Sequence, residues 1–272
     1  MSQQQLLDLK QALTASIVGQ EDLIERLLIA ILADGHLLVE GAPGLAKTRA
    51  IKALGEGIEG DFHRVQFTPD LLPADLTGTE IYRPHDGSFK FQRGPLFHNL
   101  ILADEINRAP AKVQSALLEA MAERQITVGA KTYALPKIFL VMATQNPLEQ
   151  EGTYPLPEAQ LDRFLMHVRV DYPGREDEKA ILALTRAEAR SDYDAGVTHG
   201  AVVGQQSLLE ARDAVLDIYL EDSLEDYIVE ITLATRRAGR YGEDLAGWIQ
   251  HGASPRASMA MDLSLIHNSE PT

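Results

Sequence analysis

The stretch Gly41-Ala42-Pro43-Gly44-Leu45-Ala46-Lys47-Thr48 gathers two glycines, a lysine and a hydroxyl into one turn. Those residue types at that spacing can hold a phosphate chain. Glycines let a loop wrap closely around anionic oxygens with its N–H groups pointing inward. A helix opening at Thr48 adds the partial positive charge of its N-terminus. The Lys47 ammonium then reaches the terminal phosphates and the Thr48 hydroxyl holds Mg2+. One position departs from G-x-x-x-x-G-K-T: Ala46 stands where glycine is usual. A methyl group fits there if φ is negative, which is the expectation. The plain alternative, a Gly/Pro turn beside a surface lysine, is weakened by the strand before it and the helix after it.

A second constellation supplies the metal and the water. The apolar run Leu100-Ile-Leu-Ala ends in Asp104-Glu105. A carboxylate at a strand tip can bind the Mg2+ shell, and its neighbour can activate a water for attack on a γ-phosphate. An isolated Asp-Glu pair would more simply cap a helix. Paired with a phosphate lysine, it points to phosphoryl chemistry. Asn146, after Ile138-Phe-Leu-Val-Met-Ala-Thr-Gln, is placed to orient the nucleophile through its amide without taking the proton. Two arginines complete the set. Arg163, in Glu158-Ala-Gln-Leu-Asp-Arg-Phe, falls near a helix end and is aimed at a neighbouring subunit's nucleotide, as an arginine finger is; its alternative is a weak surface pair with Asp162. In Gly252-Ala-Ser-Pro-Arg256, Ser254 and Pro255 read as N-cap and first helical residue. Arg256 then occupies a first turn, where the helix dipole disfavours a cation, so it is expected to face a ligand.

These residues need strand tips and helix starts to carry them. Residues 4–35 read as two helices broken at Gly19, 36–40 as a buried strand, 48–58 as a helix and 62–67 as an alternating strand. The unbroken apolar runs 100–104 and 138–144 suit strands covered on both faces, and 110–125 is an amphipathic helix. Strands alternating with helices predict an α/β fold: a parallel sheet with helices on both faces, to about residue 172. From Tyr172-Pro-Gly-Arg the strand signal fades. Helical periodicity over 175–190, 207–220 and 223–239 predicts a smaller all-α domain spanning 173–260. Residues 261–272 carry no clear period, read as a non-native tail, and are left out of the fold expectation.

Composition bounds the partners. The 272 residues contain no Cys, which excludes disulfides and suits a reducing cytoplasm. No apolar run is long enough to span a bilayer, so no membrane insertion is expected. Lys and Arg number 25 against 40 Asp and Glu, a net charge of −15. Such a surface repels nucleic acid unless cations cluster, and none do; a protein or small-molecule partner is expected. His63, His85, His98 and His167 are scattered without metal-ligand spacing, so structural roles are the default.

Taken together, Ile17-Val-Gly-Gln20, 39–48, Arg64-Val-Gln-Phe-Thr-Pro-Asp-Leu-Leu-Pro-Ala-Asp-Leu-Thr-Gly78, 94–110, 143–147, 156–164 and 252–258 resemble the MoxR-type AAA+ ATPases. The resemblance runs from about Ile17 to Ser258, and Ala46 is what that family's phosphate loop usually shows. It implies an AAA+ P-loop core followed by a helical lid. Gly41, Ala42, Pro43, Gly44, Leu45, Ala46, Lys47 and Thr48 would be the Walker A contacts to ATP. Asp104 and Glu105 would be Walker B, Asn146 sensor 1, Arg163 the arginine finger and Arg256 sensor 2. Val18 and Gly19 would lie near the adenine, with Thr48 and Asp104 serving Mg2+. It further implies a homo-oligomeric, hexameric ring that remodels or matures protein clients, often von Willebrand factor A-type domain proteins. Two insertions, 76–94 and 125–136, read as hairpins facing the ring pore or the client. Two rival functions stay open: a nucleic-acid motor, disfavoured because the second hairpin carries one cation, Lys131; and a nucleotide-gated scaffold, disfavoured by Glu105 and Asn146.

Overall fold

Alternate side chains of the run 100–104 go to opposite sides of a sheet, and both sides are covered. Leu100 and Leu102 join one buried cluster, Ile101 and Ala103 the other. The computed structural model describes residues 3–42, 44–147, 152–190 and 203–268. Its elements begin with α1 (Gln3–Ser16), α2 (Glu21–Leu32), β1 (Leu37–Gly41), α3 (Lys47–Gly57), β2 (Phe62–Gln66) and α4 (Pro73–Thr77). There follow β3 (Gly78–Arg83), β4 (Ser88–Arg93), β5 (Leu100–Asp104), α5 (Ala111–Glu123), β6 (Gln125–Val128), β7 (Lys131–Ala134) and β8 (Leu140–Gln145). The last are α6 (Glu158–Leu161), β9 (Met166–Val170), α7 (Arg175–Ala189), α8 (Gln205–Leu216), α9 (Asp222–Arg236), α10 (Glu243–Trp248) and α11 (Pro255–Asn268).

The main sheet has the order β2-β5-β8-β1-β9 and is parallel throughout. Helices α1, α2 and α3 cover one face, where Leu27, Ile31, Ile51 and Leu54 pack on Leu37, Val39, Leu140 and Met142. Helix α5 covers the other, with Val113, Leu117 and Met121 against Leu38, Val141 and Ala143. This is the α/β class expected from strand–helix alternation, and its core is aliphatic. Arg124, just past α5, ties the layers together: its guanidinium donates to the Phe139 carbonyl at 2.6 Å and the Asp34 carbonyl at 2.8 Å.

Both insertions are antiparallel hairpins, β3–β4 and β6–β7. The first is pinched at its base, where Gly78 (φ +95°) faces Gly94 so closely that a methyl on either would strike backbone. Aromatic rings join the two hairpins: Phe91 of β4 stacks on Tyr133 of β7 at 4.3 Å, and Phe97 meets both edge-on. This clasp was not legible in the sequence.

Two compact units emerge, Met1–Ala211 and Arg212–Thr272. The division therefore falls well after the Pro173-Gly174 boundary expected from sequence. Tertiary contacts explain the difference. Gln20 donates to the Asp171 carbonyl, and Gly19 packs against the Asp177 side chain. Val203 bridges Ile58 and is buried in the core, while Glu59 accepts the Gln205 N–H at 3.0 Å. In the second unit α9 packs on α11. There Ser258 donates to the buried Thr232 hydroxyl at 3.0 Å, and Arg236 donates to the Ala253 carbonyl at 2.7 Å. Helix α11 continues through Asn268, so most of the stretch set aside as a tail is helical; residues 269–272 lie outside the described residues.

Candidate nucleotide site

Strand β1 delivers the phosphate loop and α3 receives it. No side-chain cap hydrogen bond closes the start of α3 and no acidic residue stands in its first turn, so the positive end of the helix favours an anion there. Gly44 adopts φ +87° with open space where a Cβ would stand. Ala46 is also left-handed, at φ +55° and ψ 13°. This corrects the expectation of a negative φ. The loop must reverse to aim successive N–H groups inward, and Ala46 accepts a strain of about 1–2 kcal/mol to do so. Lys47 Nζ lies back over the loop and donates to the Gly41 carbonyl at 2.6 Å. Burial lowers the Lys47 pKa below its usual value, and the nearby Asp104 and Glu105 carboxylates oppose the shift. Ala42 and Leu45 are buried, Thr48 is half-buried in the first turn of α3, and Pro43 lies outside the described residues.

The acidic pair sits two strands away. Because β8 lies between β1 and β5, the tips bearing Lys47, Asn146 and Asp104-Glu105 are adjacent. Thr144 of β8 donates to Asp104 Oδ1 at 2.6 Å and accepts the Glu105 N–H at 2.9 Å. From the other side, β2 supplies Arg64, which donates to Asp104 Oδ2 at 2.6 Å, and Gln66, whose Nε2 donates to Glu105 Oε2 at 2.6 Å. Arg108 lies 3.2 Å from that same Glu105 oxygen. Glu105 itself is left-handed (φ +57°), which turns its carboxylate out of the strand line. Asn146 is buried just past β8.

These donors fit a magnesium-bound triphosphate. A hydroxyl and a carboxylate are hard oxygen ligands, and Mg2+ keeps its remaining positions for water and phosphate. Thr48 and Asp104 are the residues that would hold it. Among the described residues no group of three or more His, Asp or Glu is arranged to bind a metal by itself.

The profile of the family described as "ATPase family associated with various cellular activities (AAA)" matches residues 36–166, from the residue before β1 to the first of β9. Chaperone MoxR1 of Mycobacterium tuberculosis is 47% identical over 90% of this chain and 63% of its own length. Protein MoxR of Methylorubrum extorquens is 31% identical over 91% of this chain and 75% of its own. The chain belongs to the MoxR family of AAA+ ATPases. A crystal structure from Cytophaga hutchinsonii, of a protein classed as a candidate ATPase, superposes on it with a TM-score of 0.86. That protein is 46% identical, and the match covers 97% of this chain and 80% of the other. The chain thus spans less than two thirds of the Mycobacterium relative and three quarters of MoxR.

Within this MoxR-family chain the remaining candidates are placed less uniformly. Val18 is half-buried and Gly19 exposed, in the left-handed turn between α1 and α2. Arg163 is half-buried, and its Nη1 donates to the Leu118 carbonyl of α5 at 3.0 Å, so its own subunit holds it. Arg256 is exposed in the first turn of α11, in the second unit, and its N–H donates to the capping Ser254 hydroxyl at 3.1 Å. The histidines are less scattered than expected: His63 and His98 stack at 4.7 Å, and His167 lies 2.9 Å from Glu40. Burial and the neighbouring His98 lower the His63 pKa. Sequence reading missed Arg64, Gln66, Arg108 and Thr144. The run Arg64-Val-Gln66 carried a signal, since two polar residues alternate on one side of a strand.

Proposed function

We propose that this chain binds ATP with Mg2+ and hydrolyses it to ADP and phosphate, as the motor of a protein-remodelling chaperone. The observation that carries this reading is the meeting of a helix N-terminus without a side-chain cap, the Lys47 ammonium and the Asp104-Glu105 pair at adjacent strand tips. Lys47 and the N–H groups of residues 44–48 bind the phosphates. Val18 and Gly19 border the base. Thr48 and Asp104 hold Mg2+, which supplies charge neutralisation at the β- and γ-phosphates when bound. Glu105 accepts the proton of the attacking water, and Asn146 orients that water. Gln66 and Arg108, both on Glu105 Oε2, hold that carboxylate in place.

The same reading makes the working form a homo-oligomeric ring, a hexamer, in which Arg163 leaves the Leu118 carbonyl and completes a neighbour's site. Arg256 of the second unit serves as the sensor of bound nucleotide. The clasped hairpins present a surface to a protein client, for which von Willebrand factor A-type domains are the proposed class. The name of the Mycobacterium relative, a chaperone, supports the client class in general. No helix among the described residues is long and apolar enough to cross a membrane, and the proposed location is the cytoplasm. The net charge of −15 supports a protein client over nucleic acid.

The decisive experiment compares wild type with Glu105→Gln in phosphate release and in nucleotide-binding calorimetry. Loss of a general base lowers turnover by about 10²- to 10⁴-fold, with binding retained. Equal turnover in the two proteins would instead mark a nucleotide-gated scaffold.

A further inference from the structure

The metal-ligand carboxylate of the proposed site is already occupied by a cation of the protein itself. Both oxygens of Asp104 are engaged. Oδ1 accepts the Thr144 hydroxyl at 2.6 Å, and Oδ2 accepts two donors from one guanidinium, Arg64 Nη2 at 2.6 Å and Nε at 3.1 Å. The two partners differ in kind. Thr144 is 1% exposed and belongs to the adjacent strand, so it is a fixed support. The Arg64 side chain is 50% exposed on the edge strand β2, so it can leave at small cost. Arg64 and Gln66 stand two apart on β2 and project to the same side. Arg64 Nη2 also donates to Gln66 Oε1 at 3.1 Å, and Gln66 Nε2 passes on to Glu105 Oε2 at 2.6 Å. A continuous chain of hydrogen bonds therefore runs from the metal-ligand carboxylate through Arg64 and Gln66 to the proposed base.

From this we infer that Arg64 is a positioning residue that occupies the place of the metal. It neutralises Asp104 while the site is free of metal, and it must release Oδ2 before that carboxylate serves a magnesium-bound nucleotide. Release takes the same guanidinium away from Gln66 Oε1, so the side chain holding Glu105 loses one of its own anchors as Asp104 changes partner. Entry of the metal-bound nucleotide is thereby linked to the setting of the base. An ordinary surface ion pair would do neither, because it would leave the second carboxylate oxygen and the neighbouring amide uninvolved. The inference rests on the nucleotide reading above and adds a residue that governs metal dependence.

The test titrates Mg2+ into the full chain with ADP and reads nucleotide binding by calorimetry, for wild type, Arg64→Ala and Arg64→Lys, with thermal melts alongside. With its competitor gone, Asp104 in Arg64→Ala should reach half-maximal magnesium-dependent binding at a concentration about two- to fivefold lower, the scale of one exposed charged pair. Arg64→Lys, with a charge but a single donor group, should shift less in the same direction, and it carries the test if the alanine variant folds poorly. Superimposable magnesium curves for all three proteins overturn the inference. So does a lowered melting temperature with an unmoved magnesium midpoint, which would mark Arg64 as merely structural. Wild type that binds no ADP with or without Mg2+ overturns the nucleotide reading itself, and this assignment with it.

Discussion

Thr144 donates its hydroxyl to Asp104 Oδ1 at 2.6 Å, and through the Glu105 N–H it receives at 2.9 Å it holds the two carboxylate residues in one frame. Asp104 ends the strand next to its own and Glu105 follows directly, so a single buried hydroxyl fixes the proposed metal ligand and the backbone of the proposed base together. Thr144→Val keeps the shape and removes both bonds. An unpaired Glu105 N–H should cost about 1–3 kcal/mol of stability. Misplacing the pair should lower phosphate release by about 10- to 100-fold. Nucleotide binding through Lys47 should change little. Denaturant melts and single-turnover kinetics read the two effects separately; unchanged kinetics would remove Thr144 from the site.

Ala46 stands at φ +55°, a conformation that glycine adopts freely. Ala46→Gly should relieve about 1–2 kcal/mol of left-handed strain while adding about 0.5–1 kcal/mol of unfolded-chain entropy. The expected outcome is a small net stabilisation, seen as a higher urea midpoint at constant slope. A clear loss of stability would mean that the alanine methyl contributes packing that outweighs its strain.

Lys47 has a folded pKa below 10.5, set first by burial. The unfolded chain titrates at the ordinary value, so between the two pKa values it binds more protons than the folded chain. Stability should therefore rise with pH across the window just below 10.5, as the unfavourable burial of the charge is relieved. A bound phosphate chain acts oppositely and draws the proton back to the ammonium. Nucleotide binding in alkaline buffer should take up protons, and affinity should fall as pH rises. Calorimetry in buffers of differing ionisation heat measures the uptake; identical heats in all buffers would contradict it.

Phe91 and Tyr133 stack at 4.3 Å across the two hairpins. Phe91→Ala and Tyr133→Ala should each destabilise, and the double variant should fall short of their sum. A coupling of about 0.5–1.5 kcal/mol is expected from a thermodynamic cycle. Strict additivity would show that the hairpins are held by other contacts.

The elements themselves were legible in the chain. Apolar runs of strand length at 36–40, 100–104 and 138–144 and the 3.6-residue period of 110–125 match β1, β5, β8 and α5 to within a few residues. Such patterns are local, because burial on both faces of a sheet or on one face of a helix is written into neighbouring residues. The residue types of the site were equally local: Gly44, Lys47 and Thr48 in one turn, Asp104 and Glu105 in one dipeptide.

The tertiary structure decided everything that depends on strand order. Placing β8 between β5 and β1 brought Asn146 and Thr144 between the lysine and the carboxylates. Placing β2 on the edge laid Arg64 and Gln66 against an acidic pair some 40 residues on. The boundary moved from Pro173 to Ala211 for the same reason, since Val203 returns to Ile58 across the chain. Residue types settle what each segment can be; which segments become neighbours depends on contacts between distant parts of the chain, and no local period records those.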